Sequence, residues 1–121
     1  MNENELFIRA WDGELNCFIY FYKLNDISFW KNVLKYGMPI SVCSGILDIN
    51  KEDIYQGDIC RIKGTIMEYD NIEWTGICEF INGAFCFRDI SGDGKTFAFV
   101  NDSKRIRLIG NKFENIELLL K

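Results

Sequence analysis

The spacing of apolar residues along this chain changes period near residue 40. Before that point, "LFIRAWDGELNCFIYFYKL" holds two apolar, aromatic-rich runs on either side of Asp12-Gly13, a strong turn dipeptide, and predicts a β-hairpin. "DISFWKNVLKYG" follows with helical spacing, placing Phe29, Trp30, Val33 and Leu34 on one face. Asn25 or Asp26 can cap its start, and Gly37 with Pro39 beyond it marks its end.

From Ile40 onward the period is two. "ISVCSGIL" predicts a strand and "DINKED" a polar turn. "DICRIKGTIMEY" alternates Ile59, Arg61 and Lys63 with Cys60, Ile62 and Gly64, where Gly64 marks a bulge or a close backbone approach. "IEWTGICEF" and "AFCFRDI" face each other across Asn82-Gly83, the clearest hairpin signal in the chain. "TFAFVN" and "RIRLIG" predict two more strands, and "FENIELLL" a short closing helix.

Strands every eight to twelve residues or so, with one internal helix and tight turns, predict a mainly β protein with a minor α part. The expected architecture is a small antiparallel β-barrel or curved sheet, SH3-like from about Ile54 to Gly110. A single domain over residues 1–121 is expected, with a hairpin and helix in 1–39 and a small barrel-like part in 40–121.

Composition narrows the chemistry more than it names it. With 48% hydrophobic and 15% aromatic residues, the chain can bury a core without staples. Its net charge of −4 is ordinary and does not advertise a duplex binder. It has no histidine, which removes Ser-His and Cys-His nucleophilic pairs, His bases and His-containing zinc sites together. An enzyme is therefore not expected. The five cysteines form no C-x-x-C pair, and four lie in strand-like stretches where a thiol acts as a small buried hydrophobe. "MNENELFIRA" is acidic and lacks the apolar core of a signal peptide. No apolar run nears the roughly 20 residues of a membrane span. A reducing cytoplasm is expected.

Several stretches invite functional readings. "DISGDGKT" lacks the first glycine of a phosphate loop, since that position is Asp89, and a β pattern follows it. Read as a calcium loop, Asp89, Ser91, Asp93 and Gly94 stand in register, but the twelfth position is Val100 rather than a bidentate Glu. A hairpin turn is the expectation. Glu52, Asp53 and Asp58 could share a raised pKa if forced together, but they sit in and beside a polar turn where water screens them. Arg61 and Lys63, with Lys104, Arg105 and Arg107, fall on two strand stretches. Were those strands neighbours, one face would be basic, with Tyr55 or Trp74 near it, as in small barrels that bind single strands. The plainer reading is a wet face of a half-buried sheet. Trp30 and Trp74 are either core or partner anchors.

The flanks of "DIYQGDIC" carry a resemblance. "SGILDINKEDIYQGDIC" resembles a segment common in the YopX family of phage and prophage proteins, where an Ile-Tyr-acid-Gly-Asp run leads into a strand. "FIRAWDGE" is similar to that family's opening Arg-Ala-Trp-Asp, "GICEFINGAFCF" to its central hairpin, and "IRLIGNKFENIELL" to its closing signature. The matches run in order over most of the chain outside residues 18–40. Two departures stand out: "DINKED" lacks the Asn-Gly frequent there, and Ile116 replaces a usual proline.

The resemblance implies a phage-encoded, mostly β protein of the host cytoplasm, with no known cofactor and no established catalytic residues. The matched positions are Arg9, Ala10, Trp11, Asp12, Tyr55, Gly57, Asp58, Gly110 and Asn111, expected to work structurally. Gly57 would allow a positive φ, Asp58 would bond nearby amides, and Trp11 would anchor the core. The expected function is that of a non-enzymatic accessory protein that binds a host macromolecule, such as a defence or transcription component, as a small homo-oligomer. The alternatives are a small-barrel binder of single-stranded nucleic acid and a binder of a small nucleotide-like ligand. A host protein is the expected partner, and no membrane and no cofactor are expected.

Overall fold

The computed structural model describes residues 8–21, 27–64, 72–92 and 97–119. The chain forms two compact units, Met1–Cys43 and Ser44–Lys121. The boundary falls inside one strand.

In the first unit, β1 (Ile8–Asp12) pairs antiparallel with β2 (Cys17–Phe21) and, on its other edge, with the start of β3 (Ile40–Leu47). The predicted hairpin is present, but its turn is wider than the dipeptide. Asp12 pairs with Cys17, so four residues cross between the strands. The Asp12 carboxylate organises them, with Oδ1 accepting from Glu14 N at 3.0 Å and Leu15 N at 3.1 Å. The left-handed position falls on Asn16 (φ 53°), not on Gly13.

Helix α1 (Ile27–Tyr36) follows, and Gly37 ends it at φ +61° as expected. The expected caps Asn25 and Asp26 lie outside the described residues. Phe29 is buried with Ile8 and Ala10, and Trp30, Val33 and Met38 pack against that cluster. Leu34 does not join them and is 82% exposed. At about 100° per residue it lies well past the stripe that Phe29 and Val33 define, so the apolar face is narrower than expected.

In the second unit, the end of β3 is hydrogen-bonded to β4 (Asp53–Tyr55). The five-stranded sheet is ordered β8 (Phe97–Ala98), β7 (Ala84–Asp89), β6 (Glu73–Ile81), β5 (Asp58–Lys63), β9 (Ile106–Asn111). It is an antiparallel meander whose last strand returns beside the first, with a 3-10 turn at Ser103–Arg105 before it, as an SH3-type half requires. Period-two alternation on β5 and β6 sends Cys60, Ile62 and Cys78 inward. There they meet Ile46, Ile54, Phe87, Ala98, Val100 and Ile106. Asn82 and Gly83 both have positive φ (51° and 87°), the two-residue turn predicted for this hairpin.

Two local expectations change. Gly64, at φ +84°, closes β5 and donates its N–H to the Ile72 carbonyl (2.7 Å) rather than making a bulge. The ladder irregularity sits on β9 instead, where Ile59 faces Gly110 but Cys60 faces Leu108. The closing helix shortens to a 3-10 turn at Ile116–Leu118. The thiols of Cys43, Cys60, Cys78 and Cys86 are buried, and that of Cys17 is exposed. No helix among the described residues is long and apolar enough to cross a membrane.

Candidate functional site

The two basic stretches of the sequence meet because β5 and β9 are neighbours. Arg61 lies opposite Arg107, and Ile62 opposite Ile106, so the isoleucines turn into the core and the arginines turn out. Arg61, Lys63, Lys104, Arg105 and Arg107 together line a cleft of about 190 Å³, with Glu73 on its wall. Five cations against one carboxylate make the cleft strongly positive.

Its geometry is held from below. Arg61 Nη1 donates to Thr75 Oγ1 at 2.8 Å, and its Nε lies 3.6 Å from Glu73 Oε2. Arg105 Nε donates to the Lys63 carbonyl at 2.7 Å, tying the 3-10 turn to the end of β5. Asp102 caps that turn by accepting from Lys104 N at 3.1 Å. Among the described residues no acid forms an ion pair with Lys63, Lys104 or Arg107. The condition set by the sequence, adjacency of the basic strands, is met.

The aromatics are placed otherwise. Tyr55 is buried, and Trp74 packs on the core with its Nε1 donating to the Gly64 carbonyl at 2.8 Å. Trp30 packs on the core of the first unit. Trp11, expected as a core anchor, is half-buried, T-shaped against Phe18 at 5.0 Å, and lines a cavity of the first unit.

The acidic trio does not assemble into a site. Glu52 is exposed and Asp53 half-buried, while Asp58 is not solvated at all (2% exposed). Its Oδ2 accepts from Tyr55 N at 2.7 Å, so it organises the turn that precedes β5. The carboxylate that sequence reasoning missed is Asp48, at 1% exposure. Asp48 Oδ1 accepts from Asn50 N and Glu52 N, both at 2.9 Å, and Oδ2 accepts from Leu108 N at 3.0 Å on β9. Ile49 N adds a bond to the Ile106 carbonyl at 2.8 Å. The "DINKED" turn thereby covers the free edge of β9 and forms one rim of the basic cleft. The only trace in the sequence was an aspartate opening a polar turn.

Asp89 likewise serves a turn, accepting from Ser91 N, Ser91 Oγ and Gly92 N through Oδ1. Strands β7 and β8 pair on either side of it, so "DISGDGKT" is a hairpin connection, with Asp93 and Gly94 outside the described residues. Among the described residues no three His, Cys, Asp or Glu side chains gather as a metal-ligand group. Burial, then the nearby Asp58, Cys78 and Asp48, push the Cys60 thiol far above its ordinary value of 9.0. Burial and Glu79 push Cys86 in the same direction.

A family model described as YopX protein matches residues 8–120. The chain belongs to the YopX family. Among solved structures, the crystal structure of protein EF1440 from Enterococcus faecalis is similar, with a TM-score of 0.59 and 20% sequence identity. That match covers 94% of this chain and 97% of the other, and at such identity it shows a shared fold. No curated protein matches.

The YopX-like positions fall into two places. "IYQGD" and "IGN" meet, because Asp58 pairs with Asn111 across β5 and β9. Gly57, at φ +93°, donates its N–H to the Cys78 carbonyl (2.8 Å) and accepts from Lys112 N (3.0 Å). Gly110 is required by contact: a Cβ there would lie 2.5 Å from Asn115 Oδ1. Asn111 Oδ1 accepts from Phe113 N and Glu114 N. The second place is β1, where the Arg9 guanidinium carbon sits 3.8 Å over the Phe18 ring, and Trp11 and Asp12 lead into the hairpin turn.

Proposed function

We propose that this protein is a non-enzymatic accessory protein of phage or prophage origin that binds a macromolecule of the host cell, and that the basic cleft beside β5 and β9 makes the contact. One observation supports this reading above the others. Lys63, Lys104 and Arg107 project from adjacent elements with no described acid to neutralise them, on a protein whose net charge is −4. A local positive patch on an acidic protein steers and orients an acidic partner surface. A host protein with an acidic face fits first.

A second reading, single-stranded nucleic acid, is favoured by the same cations. It lacks a stacking platform, since Tyr55 and Trp74 are turned into the fold. Binding of that kind would rest on phosphates, ignore sequence and weaken steeply with salt. A small nucleotide finds less support, because the larger cavity in the first unit carries Asp12 and Glu14, which repel phosphates.

The test is capture of host-cell macromolecules by tagged protein, wild type against Lys63→Glu/Lys104→Glu, with and without nuclease. Both positions are exposed, so the fold should survive. Loss of the captured species in the variant supports the cleft as the contact. Loss after nuclease as well turns the reading to nucleic acid. Retention in the variant ends it.

A further inference from the structure

The first unit carries a cavity of opposite character. It measures about 570 Å³ and lies between the β1–β2 turn and the end of α1. Trp11, Tyr36 and Met38 supply apolar and aromatic walls, and Asp12 and Glu14 supply the charge. Among the described residues no Lys or Arg lines it. Glu14 is exposed, and no described residue pairs with its carboxylate. The last carbonyls of α1 add a partial negative charge, because a helix C-terminus leaves acceptors without intrahelical donors. On α1, the Lys35 Nζ lies 5.2 Å from the centroid of the Tyr36 ring.

We infer that this cavity binds an arginine or lysine side chain presented by a basic polypeptide segment. Aromatic faces attract organic cations, and carboxylates beside them complete the recognition. The unit already shows the chemistry internally, in Arg9 over Phe18, a ring that in turn packs edge-on against Trp11. Two carboxylates, one of them committed to the turn amides of Glu14 and Leu15, are too few for a metal cage and well suited to a guanidinium. Leu15 (71% exposed) and Tyr36 (61% exposed) stand as an apolar collar, which points to a polypeptide rather than a free amine.

The test uses the whole protein and a capped Gly-Arg-Gly-Arg-Gly peptide, followed by calorimetry at low salt. The peptide should bind, its citrulline counterpart should not, and Glu14→Gln should weaken binding about tenfold. Trp11→Phe should weaken it as well, since indole is the strongest cation-binding ring. Glu114→Gln, an exposed acid elsewhere, should leave binding unchanged. Lys63→Glu/Lys104→Glu should also leave it unchanged, which keeps this site separable from the basic cleft. Equal losses in Glu14→Gln and Glu114→Gln would reduce the effect to general charge attraction and overturn the inference. Free arginine amide binding as tightly as the peptide would overturn the polypeptide assignment. So would self-association of the protein that Glu14→Gln abolishes, because the occupant would then be a second copy.

Discussion

The two units of this chain solve the burial problem on different scales. The second gathers nine buried residues, from Ile46 to Ile106, into one core and fixes its turns with buried carboxylates. The first buries Ile8, Ala10 and Phe29 and leans on half-buried Trp30, Val33 and Met38 around them. The two units therefore differ in how firmly they hold a surface feature. A cleft on the larger core is held by hydrogen bonds from three directions, whereas the first unit's cavity is bounded by a turn and a helix end.

The same substitution in each unit should separate them most. Phe87→Ala removes a fully buried ring at the centre of the larger core and should cost about 4 kcal/mol of unfolding free energy in urea. Phe29→Ala, against the thinner cluster, should cost about 2 kcal/mol less, with faster amide exchange confined to residues 8–43. Equal costs and global exchange in both variants would break the distinction.

Asp48→Ala comes next. It strands three backbone N–H groups, two in the turn and Leu108 on β9, and should cost about 3 kcal/mol. Asp48→Asn should recover only part of this, because an amide presents one acceptor oxygen where the carboxylate presents two. Gly110→Ala should cost about 2 kcal/mol through overpacking against Asn115, read as a shift in the urea midpoint.

The smallest effect is chemical rather than energetic. Near pH 8, a thiol reagent should label Cys17 quickly and Cys43, Cys60, Cys78 and Cys86 only as the chain unfolds. Burial raises the folded Cys60 thiol above its unfolded value, so its protonated form favours the native state. That contribution is complete below about pH 9 and fades as the pH rises past it. Rapid labelling of all five would show that the larger core is far looser than its burial implies.

Much of this fold was legible in the sequence. Period-two alternation and Asn82-Gly83 delivered the β6–β7 hairpin, and Gly37 delivered the helix end. Leu34 was misplaced because a four-residue apolar stripe on a ten-residue helix does not reveal how wide the facing core is. The C-terminal helix was overread because its apolar spacing is compatible with a single 3-10 turn. At the candidate site, the cations themselves were legible, but their convergence depended on β9 returning beside β5, a non-local pairing that no local pattern encodes. Asp48 was missed for the same reason. Its third partner, Leu108, lies 60 residues away.

The cleft beside β5 and β9 is the proposed contact surface for a host macromolecule. A photoreactive amino acid placed at Lys104, on the rim, tests it most directly when compared with one at Leu34, exposed on the first unit. Irradiation in the host cell should yield a discrete cross-linked species from position 104 that Lys63→Glu diminishes, and none from position 34. Cross-links from position 34 alone would contradict the claim, as would a species at 104 that is indifferent to Lys63→Glu.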